Sequence, residues 1–354
     1  MDSRNIPVSE DILNAAREAC TSLLPAKSKE KYEKTYGVFC QWREAKKVKN
    51  LDENVMLAYF YEKAKVLEAS SLWSTYSMLK STIQVNENID ISQHKKLIAF
   101  LKRQNDTYLP KKSKVLTIEN ITKFLNDAPD ETFLLIKVVL VFALNGACRR
   151  GELCNLTVED IEDTGSMLVV TLHDTKTKKK RMFAVGSECN GYEIYKKYLQ
   201  LRPKGVKHNR FFLFYLNGKC TVQPVGIHSF AKMPQKIAEY LKLPDAVSYT
   251  GHSFRRTSTT FLADSGADIQ TLKRHGGWES SSVAEKYVEE SIGNKIKTSK
   301  RIFSGVPGTS KENNTGIVVN QDNLRQEHID IVRSGGLTFS NLNNCIFNFY
   351  NGSK

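Results

Sequence analysis

Apolar and polar positions in the first hundred residues alternate with the period of an α-helix. Ser28 is placed to cap a helix whose apolar face carries Tyr32, Tyr36 and Phe39, with Lys and Arg on its other faces. The same pattern recurs in three further stretches and predicts helices around Met56–Val66, Leu72–Ile83 and Gln93–Lys102. No alternating strand pattern interrupts this part of the sequence. Residues 1–105 are therefore predicted to form a helical domain.

A polar, basic stretch follows the helical region. Arg103–Lys114 (RQNDTYLPKKSK) contains one proline and four basic residues, which is typical of a connection between domains. We assign residues 106–116 as an interdomain linker.

The next region combines helical and strand patterns. Glu131–Ala143 is strongly apolar and predicts a helix in the core. Ser166–Leu172 and Arg181–Val185 are short β-type runs joined by a segment rich in Lys and Thr. They predict a β-hairpin with a basic tip.

Helical patterns resume at Tyr192–Leu201 and again from Ser253. Residues 117–300 are therefore predicted to form a mainly α domain with a small β-sheet. After about Arg301 the composition shifts to Gly, Asn and Ser, and two β-prone runs appear, Gly316–Asn320 and Leu337–Tyr350. We expect residues 301–354 to form a partly mobile C-terminal tail that adds strands to a neighbouring protomer.

Charge narrows the choice of partner. Lys and Arg outnumber Asp and Glu by 52 to 38 in the 354 residues, a formal net charge of +14. This excess favours a polyanion, because each neutralised phosphate releases condensed counterions. The sequence has no apolar stretch of membrane-spanning length, and its start lacks the pattern of a signal peptide, so a soluble, intracellular protein without a membrane partner is expected.

Cysteine usage argues against a metal or disulfide framework. The seven cysteines are odd in number and scattered, without a CxxC pair, so reduced thiols are expected. The sequence contains neither a carboxylate cluster suited to two metal ions nor a GxxxxGK[ST] phosphate loop. No metal, ATP or other cofactor is predicted.

Three motifs carry the candidate chemistry. The strongest is Gly251-His-Ser-Phe-Arg255, followed by Gly277-Trp278 and then Tyr287. Upstream lies Asn145–Leu153 (NGACRRGEL), in which Arg149 precedes Glu152 by three residues. Between them the hairpin tip carries the basic run Thr175–Arg181 (TKTKKKR).

Each motif taken alone has an ordinary structural explanation. HxxR occurs by chance in many helices, Tyr287 would usually be a half-buried structural tyrosine, and a lysine run is usually a solvated loop or a nuclear-import tract. Arg149 and Glu152 would usually form a surface ion pair. Only their joint occurrence, order and spacing point to a shared site.

In these motifs the chain resembles the tyrosine recombinases, the phage-type integrases and site-specific recombinases. The family's first box has the form TGxRxxEL, and Ala147–Leu153 fits it with Ala147 in place of the usual glycine. Lys176 occupies the place of the hairpin lysine, and His252-Ser-Phe-Arg255 resembles the second box, HxLR. The detailed resemblance covers about Thr117–Gly293, and the helical N-terminal region matches by position and character only.

The same resemblance assigns the remaining residues of the hexad. Trp278 lies nine residues before Tyr287, where the family has a His or Trp. His275 lies twelve residues before the tyrosine, and we expect it to have a structural or DNA-backbone role. The family implies a two-domain clamp around double-stranded DNA, with an N-terminal core-binding domain and a catalytic domain.

The resemblance implies a division of labour within one site. Arg149 and Arg255 would hold the non-bridging oxygens of a phosphodiester, and Trp278 would donate to it or shape the pocket. Tyr287 would attack, His252 would accept its proton, and Lys176 would protonate the leaving 5′-oxygen. Glu152 would hold an arginine or cap the helix. The predicted DNA-binding residues are Lys111, Lys112, Lys114, Lys178, Lys179, Arg181 and Arg256.

A narrower resemblance concerns the end of the chain. The segment SGADIQTLKRHGGWESSSVAEKYVEES and the ending FSNLNNCIFNFYN resemble the Crypton-type recombinases of eukaryotic transposons. This resemblance implies a eukaryotic and therefore nuclear enzyme; from any other source the protein is expected inside the cell on DNA. The recombinase family implies a homo-oligomer, a tetramer when synapsed on DNA.

Three functions stay open at the level of the sequence. The first is a recombinase or transposase that acts as a synapsed oligomer through a 3′-phosphotyrosine. The second is a type IB topoisomerase-like enzyme with the same chemistry, and the third is a domesticated DNA-binding protein without strand exchange. Possession of the whole hexad weighs against the third, and a tail after Tyr287 favours the first.

Overall fold

The computed structural model describes residues 9–106, 108, 111–173, 179–187 and 190–304. The chain divides into two compact units between Lys111 and Lys112. Both described units are built mainly from α-helices, and strands occur in the described part of the second. The predicted fold class, mainly α with a small β-sheet, is confirmed.

The first unit is helical, and four of its helices overlap the predicted ones or follow directly from Ser28. Its helices are α1 (Glu10–Ser22), α2 (Lys29–Ala45), α3 (Glu53–Ala64), α4 (Ala69–Glu87) and α5 (Lys95–Asp106). Phe39, Tyr59, Phe60 and Leu79 are fully buried and form the centre of its core. The helical period of apolar residues therefore gives this unit a core of its own.

Two local details differ from the sequence-based expectation. Ser28 occupies the N-cap position of α2 but makes no side-chain cap bond there. The helix α5 extends to Asp106, so the polar residues from Arg103 onward are helical and do not yet form a linker. Amphipathic packing of Leu97 and Leu101 accounts for this extension, because it holds the helix in place regardless of its polar last turn.

The second unit contains nine helices within the described residues. They are α6 (Ile118–Asp127), α7 (Asp130–Asn145), α8 (Arg150–Asn155), α9 (Gly191–Gln200), α10 (Ile227–Tyr240), α11 (Ser253–Asp264), α12 (Ile269–Gly276), α13 (Ser282–Glu290) and α14 (Ile292–Phe303). The helix α10 was not expected from the sequence, in which Pro234 would normally indicate a break. The last helix passes the predicted end of the domain at residue 300 by three residues.

Two small antiparallel sheets accompany these helices. The strands β1 (Ile161–Asp163), β2 (Leu168–Leu172) and β3 (Arg181–Val185) form one sheet in that order. The strands β4 (Leu213–Leu216) and β5 (Lys219–Pro224) form the other. The β2–β3 pairing is the hairpin that the sequence predicts, and its tip lies outside the described residues.

The helix α7 is the centre of the second core. Ten of its consecutive residues, from Leu134 to Ala143, are buried. It packs against α9, α11, β3 and β4. Its C-terminal end leads directly into Gly146, Ala147 and Arg149, so the central core element fixes the start of the first candidate motif.

The end of the predicted linker packs against the second unit. The Lys114 amide donates to the carbonyl of Ser248 at 3.0 Å, and the Leu116 amide donates to Oγ1 of Thr257 at 3.0 Å. Leu116 is fully buried. Residues 112–116 therefore belong structurally to the second unit, although their composition indicates a linker.

Two other sequence-based expectations concern the tail and membranes. The β-prone runs Gly316–Asn320 and Leu337–Tyr350 lie outside the described residues. Among the described helices, none combines the length and the apolar character needed to span a bilayer.

Candidate active site

Glu152 organises the first motif. Arg149 stands at the N-cap of α8, and its backbone N–H donates to Oε2 of Glu152 at 2.8 Å. Its guanidinium donates to Oε1 of the same carboxylate at 2.7 Å. The Glu152 side chain is only 3% exposed. The carboxylate therefore both caps the helix and fixes the orientation of Arg149, the two alternatives that the sequence left open.

Arg181 is the second cation on this carboxylate. Its Nη2 donates to Oε2 of Glu152 at 2.8 Å, and its Nη1 donates to the carbonyls of Gly146 and His275. The side chain is 10% exposed. The expected DNA contact of Arg181 does not match this environment, because its guanidinium is buried and bonded to protein acceptors. Arg181 instead connects β3 to the loop before α8 and to the last turn of α12.

Arg255 is held by two backbone carbonyls. Its Nη1 donates to the carbonyl of Ala147 at 2.6 Å, and its Nη2 donates to that of Gly276. Ala147 has a φ of 41°, in the left-handed region, and this conformation accompanies the contact between its carbonyl and Arg255. A guanidinium has five N–H donors, so further donors of Arg255 are available to a ligand.

Burial and neighbouring cations lower the pKa of Arg255 to about 10. Burial is the larger cause, and the positive charge of Arg149 adds to it. The guanidinium still carries its charge at neutral pH. The site thus places two cationic guanidiniums close enough to repel each other, an arrangement that an anion would stabilise.

Trp278 contacts both Tyr287 and this arginine. The rings of Trp278 and Tyr287 stack with centroids 5.5 Å apart and planes 18° apart. The guanidinium carbon of Arg255 lies 5.1 Å from the centroid of the Trp278 ring. Burial raises the pKa of Tyr287 and outweighs the opposing field of Arg256 and Arg255. The phenol is therefore protonated at neutral pH and needs an acceptor for its proton before it can attack.

His252 stands at the N-cap of α11, and Arg255 lies in the first turn of that helix. Although His252 is exposed, partial desolvation lowers its pKa below the usual value of 6.5, and the charges of Arg255 and Arg150 lower it further. The imidazole is consequently neutral at pH 7 and can accept a proton.

A basic cavity of about 430 Å³ opens beside Arg149 and Trp278. Its lining comprises Arg149, Lys179, Lys180, Arg181, Met182, Gln270, Lys273, Arg274, Gly277, Trp278 and Glu279. Six of these residues are basic and one is acidic. The cavity has the sign of charge that favours a phosphate-bearing ligand.

Three of these basic residues are absent from the sequence-based site. Lys273 and Arg274 belong to the basic last turn of α12, and Lys180 belongs to the approach to β3. The cluster Lys273-Arg274-His275 just before Gly277-Trp278 is visible in the sequence. That Lys273 and Arg274 line the same cavity as Arg149 depends on the fold, because the end of α12 lies beside β3.

Most other predicted DNA-binding residues lie at the surface in ion pairs. Lys112 and Arg256 both contact Glu290, Lys114 lies 3.5 Å from Asp245, and Lys179 lies 3.9 Å from Glu279. Lys111 is exposed in the first unit. Lys176, the expected general acid, and Lys178 lie outside the described residues.

His275 occupies the interior beneath the site. Its Nε2 lies 2.6 Å from Oγ of Ser258, which in turn donates to the carbonyl of Leu144 at 2.5 Å. Burial lowers the pKa of His275 to about 4, assisted by the charges of Arg181 and Arg255. A neutral His275 therefore links α12, α11 and the end of α7.

The part of the chain that carries this site matches a known protein family. Residues 114–292, about half of the chain, match the model of the phage integrase family. The chain belongs to this family, whose members are tyrosine recombinases.

The curated relatives carry the same family name. A tyrosine recombinase XerC of Syntrophus aciditrophicus is 23% identical over 199 residues, which are 53% of this chain and 59% of that protein. A tyrosine recombinase XerC of Myxococcus xanthus is 26% identical over 184 residues, 50% of this chain and 58% of that protein. The match thus spans somewhat more than half the length of these relatives.

Solved structures share the fold. The Tn1549 transposon integrase in complex with a circular intermediate DNA superposes with a TM-score of 0.59 at 19% identity, covering 82% of this chain and 98% of that one. The XerH site-specific recombinase bound to difH substrate gives a TM-score of 0.56 at 15% identity, covering 83% and 85%. At these identities the likeness establishes the fold.

Proposed function

We propose that this protein is a site-specific DNA recombinase or transposase that cleaves and rejoins DNA through a 3′-phosphotyrosine on Tyr287. The observation that carries the proposal is the stack of Tyr287 on Trp278 beside Arg255. It brings together the Tyr287 phenol from α13, the buried Arg255 guanidinium from α11 and the Trp278 indole from the loop between α12 and α13. Membership of the phage integrase family supports the same chemistry.

The family resemblance, together with the placement of Arg149, Arg255 and Tyr287, suggests how the reaction would proceed. The hydroxyl oxygen of Tyr287 forms a bond to phosphorus, its proton passes to neutral His252, and the bond from phosphorus to the 5′-oxygen breaks. Arg149 and Arg255 stabilise the charge that develops on the non-bridging oxygens. Lys176 supplies the proton to the leaving 5′-oxygen. Rejoining is the reverse reaction, so the energy of the phosphodiester is retained.

Two alternatives are less well supported. A type IB topoisomerase-like enzyme would use the same chemistry, but the family matched is that of the integrases. A domesticated DNA-binding protein would gain nothing from a tyrosine stacked beside Arg255. Relaxation of a supercoiled plasmid by monomeric protein would favour the topoisomerase-like alternative, and DNA binding without any covalent adduct would favour the domesticated one.

The proposal also covers the origin of the enzyme and its oligomeric state on DNA. The Crypton-like segment around Trp278 and Tyr287, together with the Asn/Cys/Phe-rich ending, supports a recombinase of a eukaryotic transposon that acts in the nucleus. Double-stranded DNA is the proposed partner, and a homo-tetramer is the proposed synaptic state. Removal of residues after 304 should lower the stoichiometry of protein on DNA, which sedimentation of the complexes measures.

Removal of the Tyr287 hydroxyl oxygen tests whether this residue is the nucleophile. Half-sites are first selected from random duplexes by binding, and nicked suicide substrates made from them trap a covalent adduct. Tyr287→Phe removes the attacking oxygen and retains the stacked ring, so it should abolish the adduct and leave DNA affinity unchanged. Tyr192→Phe, in the half-buried first turn of α9, removes a hydroxyl that donates to Asp163 rather than to the site, so it is the matched control and should cleave normally. An adduct formed by Tyr287→Phe would place the nucleophile elsewhere.

A further inference from the structure

Glu290 connects the helix of the candidate nucleophile to two other parts of the second unit. Its carboxylate accepts from Nζ of Lys112 and lies 3.3 Å from Nη2 of Arg256. Arg256 also donates through Nη1 to the carbonyl of Ser113 at 2.6 Å. One carboxylate thus joins α13 both to α11 and to the segment at residues 112–113.

The helix α13 has little apolar anchorage of its own. Ala284 is the one residue buried among its nine. Tyr287 and Val288 are half-buried against a small cluster around Ala263 and Leu272. Since few apolar contacts hold this helix, its polar contacts contribute a large share of the restraint on its position.

Tyr287 and Glu290 are three residues apart and therefore lie on one face of α13. Arg256, the partner of Glu290, follows Arg255, the guanidinium that lies over the Trp278 ring. The stack on Trp278 holds the ring of Tyr287, and Glu290 holds the next turn of the same helix face. Both restraints therefore lead to neighbouring residues of α11, the first to Arg255 through Trp278 and the second to Arg256.

We infer that Glu290 is a positioning residue that, through Arg256 and Lys112, holds Tyr287 in place for attack on a DNA phosphodiester. The inference rests on the proposed function. It also implies opposite effects on two steps. The Glu290 carboxylate lies among cations that face a polyanion, so loss of its negative charge removes a repulsion toward DNA. The same loss frees the helix that carries the nucleophile.

The first measurement separates these two steps. Adduct formation is followed on a suicide substrate at saturating DNA, and affinity is measured separately on intact duplex. Glu290→Gln should slow adduct formation about fivefold, the factor that corresponds to ~1 kcal/mol for a partly exposed ion pair. Its DNA affinity should equal or exceed that of the wild type. A structural defect would instead lower both quantities.

Glu289→Gln is the matched control, because it changes the same charge on the adjacent exposed residue of α13. It should cleave at the wild-type rate. Lys112→Gln removes one partner of Glu290 and provides a second variant if Glu290→Gln fails to fold. At saturating DNA the double variant should be no slower than the slower single variant, because both changes break the same contact.

The second measurement does not depend on cleavage. Nitration of Tyr287 in the DNA-free full chain is followed by peptide mass spectrometry, with the 58% exposed Tyr61 as internal reference. Glu290→Gln should be nitrated faster at Tyr287 than the wild type and Glu289→Gln.

The outcomes separate the inference from the proposed function. A wild-type protein that forms no adduct contradicts the function, whereas nitration still decides the role of Glu290. If the wild type forms an adduct and Glu290→Gln matches it in both rate and nitration, the positioning role is wrong. Faster cleavage by Glu290→Gln would also overturn it, because the carboxylate would then restrain the nucleophile from attack.

Discussion

Ala147 shows how a single residue adapts the first motif to its task. Its φ of 41° is unfavourable for a residue with a Cβ, and the family usually has glycine here. The conformation accompanies the bond from Arg255 to the Ala147 carbonyl. The buried methyl group gains contact with the core, which offsets part of the backbone strain.

This balance predicts an unusual response to glycine. Ala147→Gly loses one buried methyl group, at ~0.8 kcal/mol, but relieves a left-handed conformation that costs about as much, so the free energy of unfolding should change by less than ~0.5 kcal/mol. Ala143→Gly, equally buried but helical, should cost about 2 kcal/mol, because it loses the methyl group and helix propensity. Urea unfolding of both variants measures the difference. Equal losses would mean that Ala147 carries no strain.

His252 gives a second prediction at this scale. Partial desolvation and the charge of Arg255 place its pKa below 6.5, so the basic form still predominates at pH 6.5 and is lost as the pH falls through the lowered value. The rate of adduct formation at saturating DNA should therefore be maximal near pH 8 and fall to half of that value only below pH 6.5. A rate already halved above pH 6.5 would indicate that another group accepts the proton.

At the scale of helices and strands, some elements of the fold can be predicted from the sequence and others cannot. The helix α7 and the β2–β3 hairpin follow from an apolar run and from strand runs around a basic tip. The β4–β5 hairpin was missed although Asn217-Gly218 is a typical hairpin turn, and both residues have the positive φ that such a turn needs. The helix α10 was also missed; it contains Pro234, which propensity disfavours inside a helix and which is buried here.

The candidate site divides in the same way. Motif order predicted Arg149, His252, Arg255, Trp278 and Tyr287 individually. The sequence could not reveal that Arg255 is held by the carbonyl of Ala147, 108 residues earlier, or that Arg181 turns inward to Glu152. Such bonds join distant segments, and only the packing of whole helices decides them.

His275 predicts how the packing of α12 responds to acid. Its folded pKa of about 4 lies below the ordinary 6.5, so the unfolded chain binds more protons between these values. Stability from the neutral imidazole is complete above pH 6.5 and is lost as the pH falls toward 4, by at most roughly 3 kcal/mol. His275→Gln keeps a donor toward Ser258 without a titratable ring. The difference in unfolding free energy between wild type and variant should shrink over this range, and a constant difference would contradict the assignment.

Charge acts at the scale of the whole molecule. The excess of +14 and the basic cavity predict that DNA affinity falls steeply with salt, with a slope of log K against log salt of about −5 or steeper. Lys179→Gln, at the cavity, should reduce the slope by about one.

Lys219 provides the control for that measurement. The β4–β5 turn bonds to Glu131 at the start of α7, whereas the site lies beyond the other end of this helix. A helix of 16 residues is about 24 Å long, so Lys219 is far from the site. Lys219→Gln changes the same charge far from the cavity and should leave the slope unaltered. An affinity insensitive to salt would contradict a phosphate-binding role for the cavity.

The stack of Tyr287 on Trp278 gives the protein a built-in optical probe. The sequence contains three tryptophans, and the other two, Trp42 and Trp73, lie in the first unit. Replacing those two by phenylalanine leaves Trp278 as the sole indole emitter, stacked on the phenol and next to a guanidinium. Its emission then depends on the separation of the two rings, so departure of the tyrosine to form a phosphodiester bond would be visible in real time, without any label on the protein or the DNA.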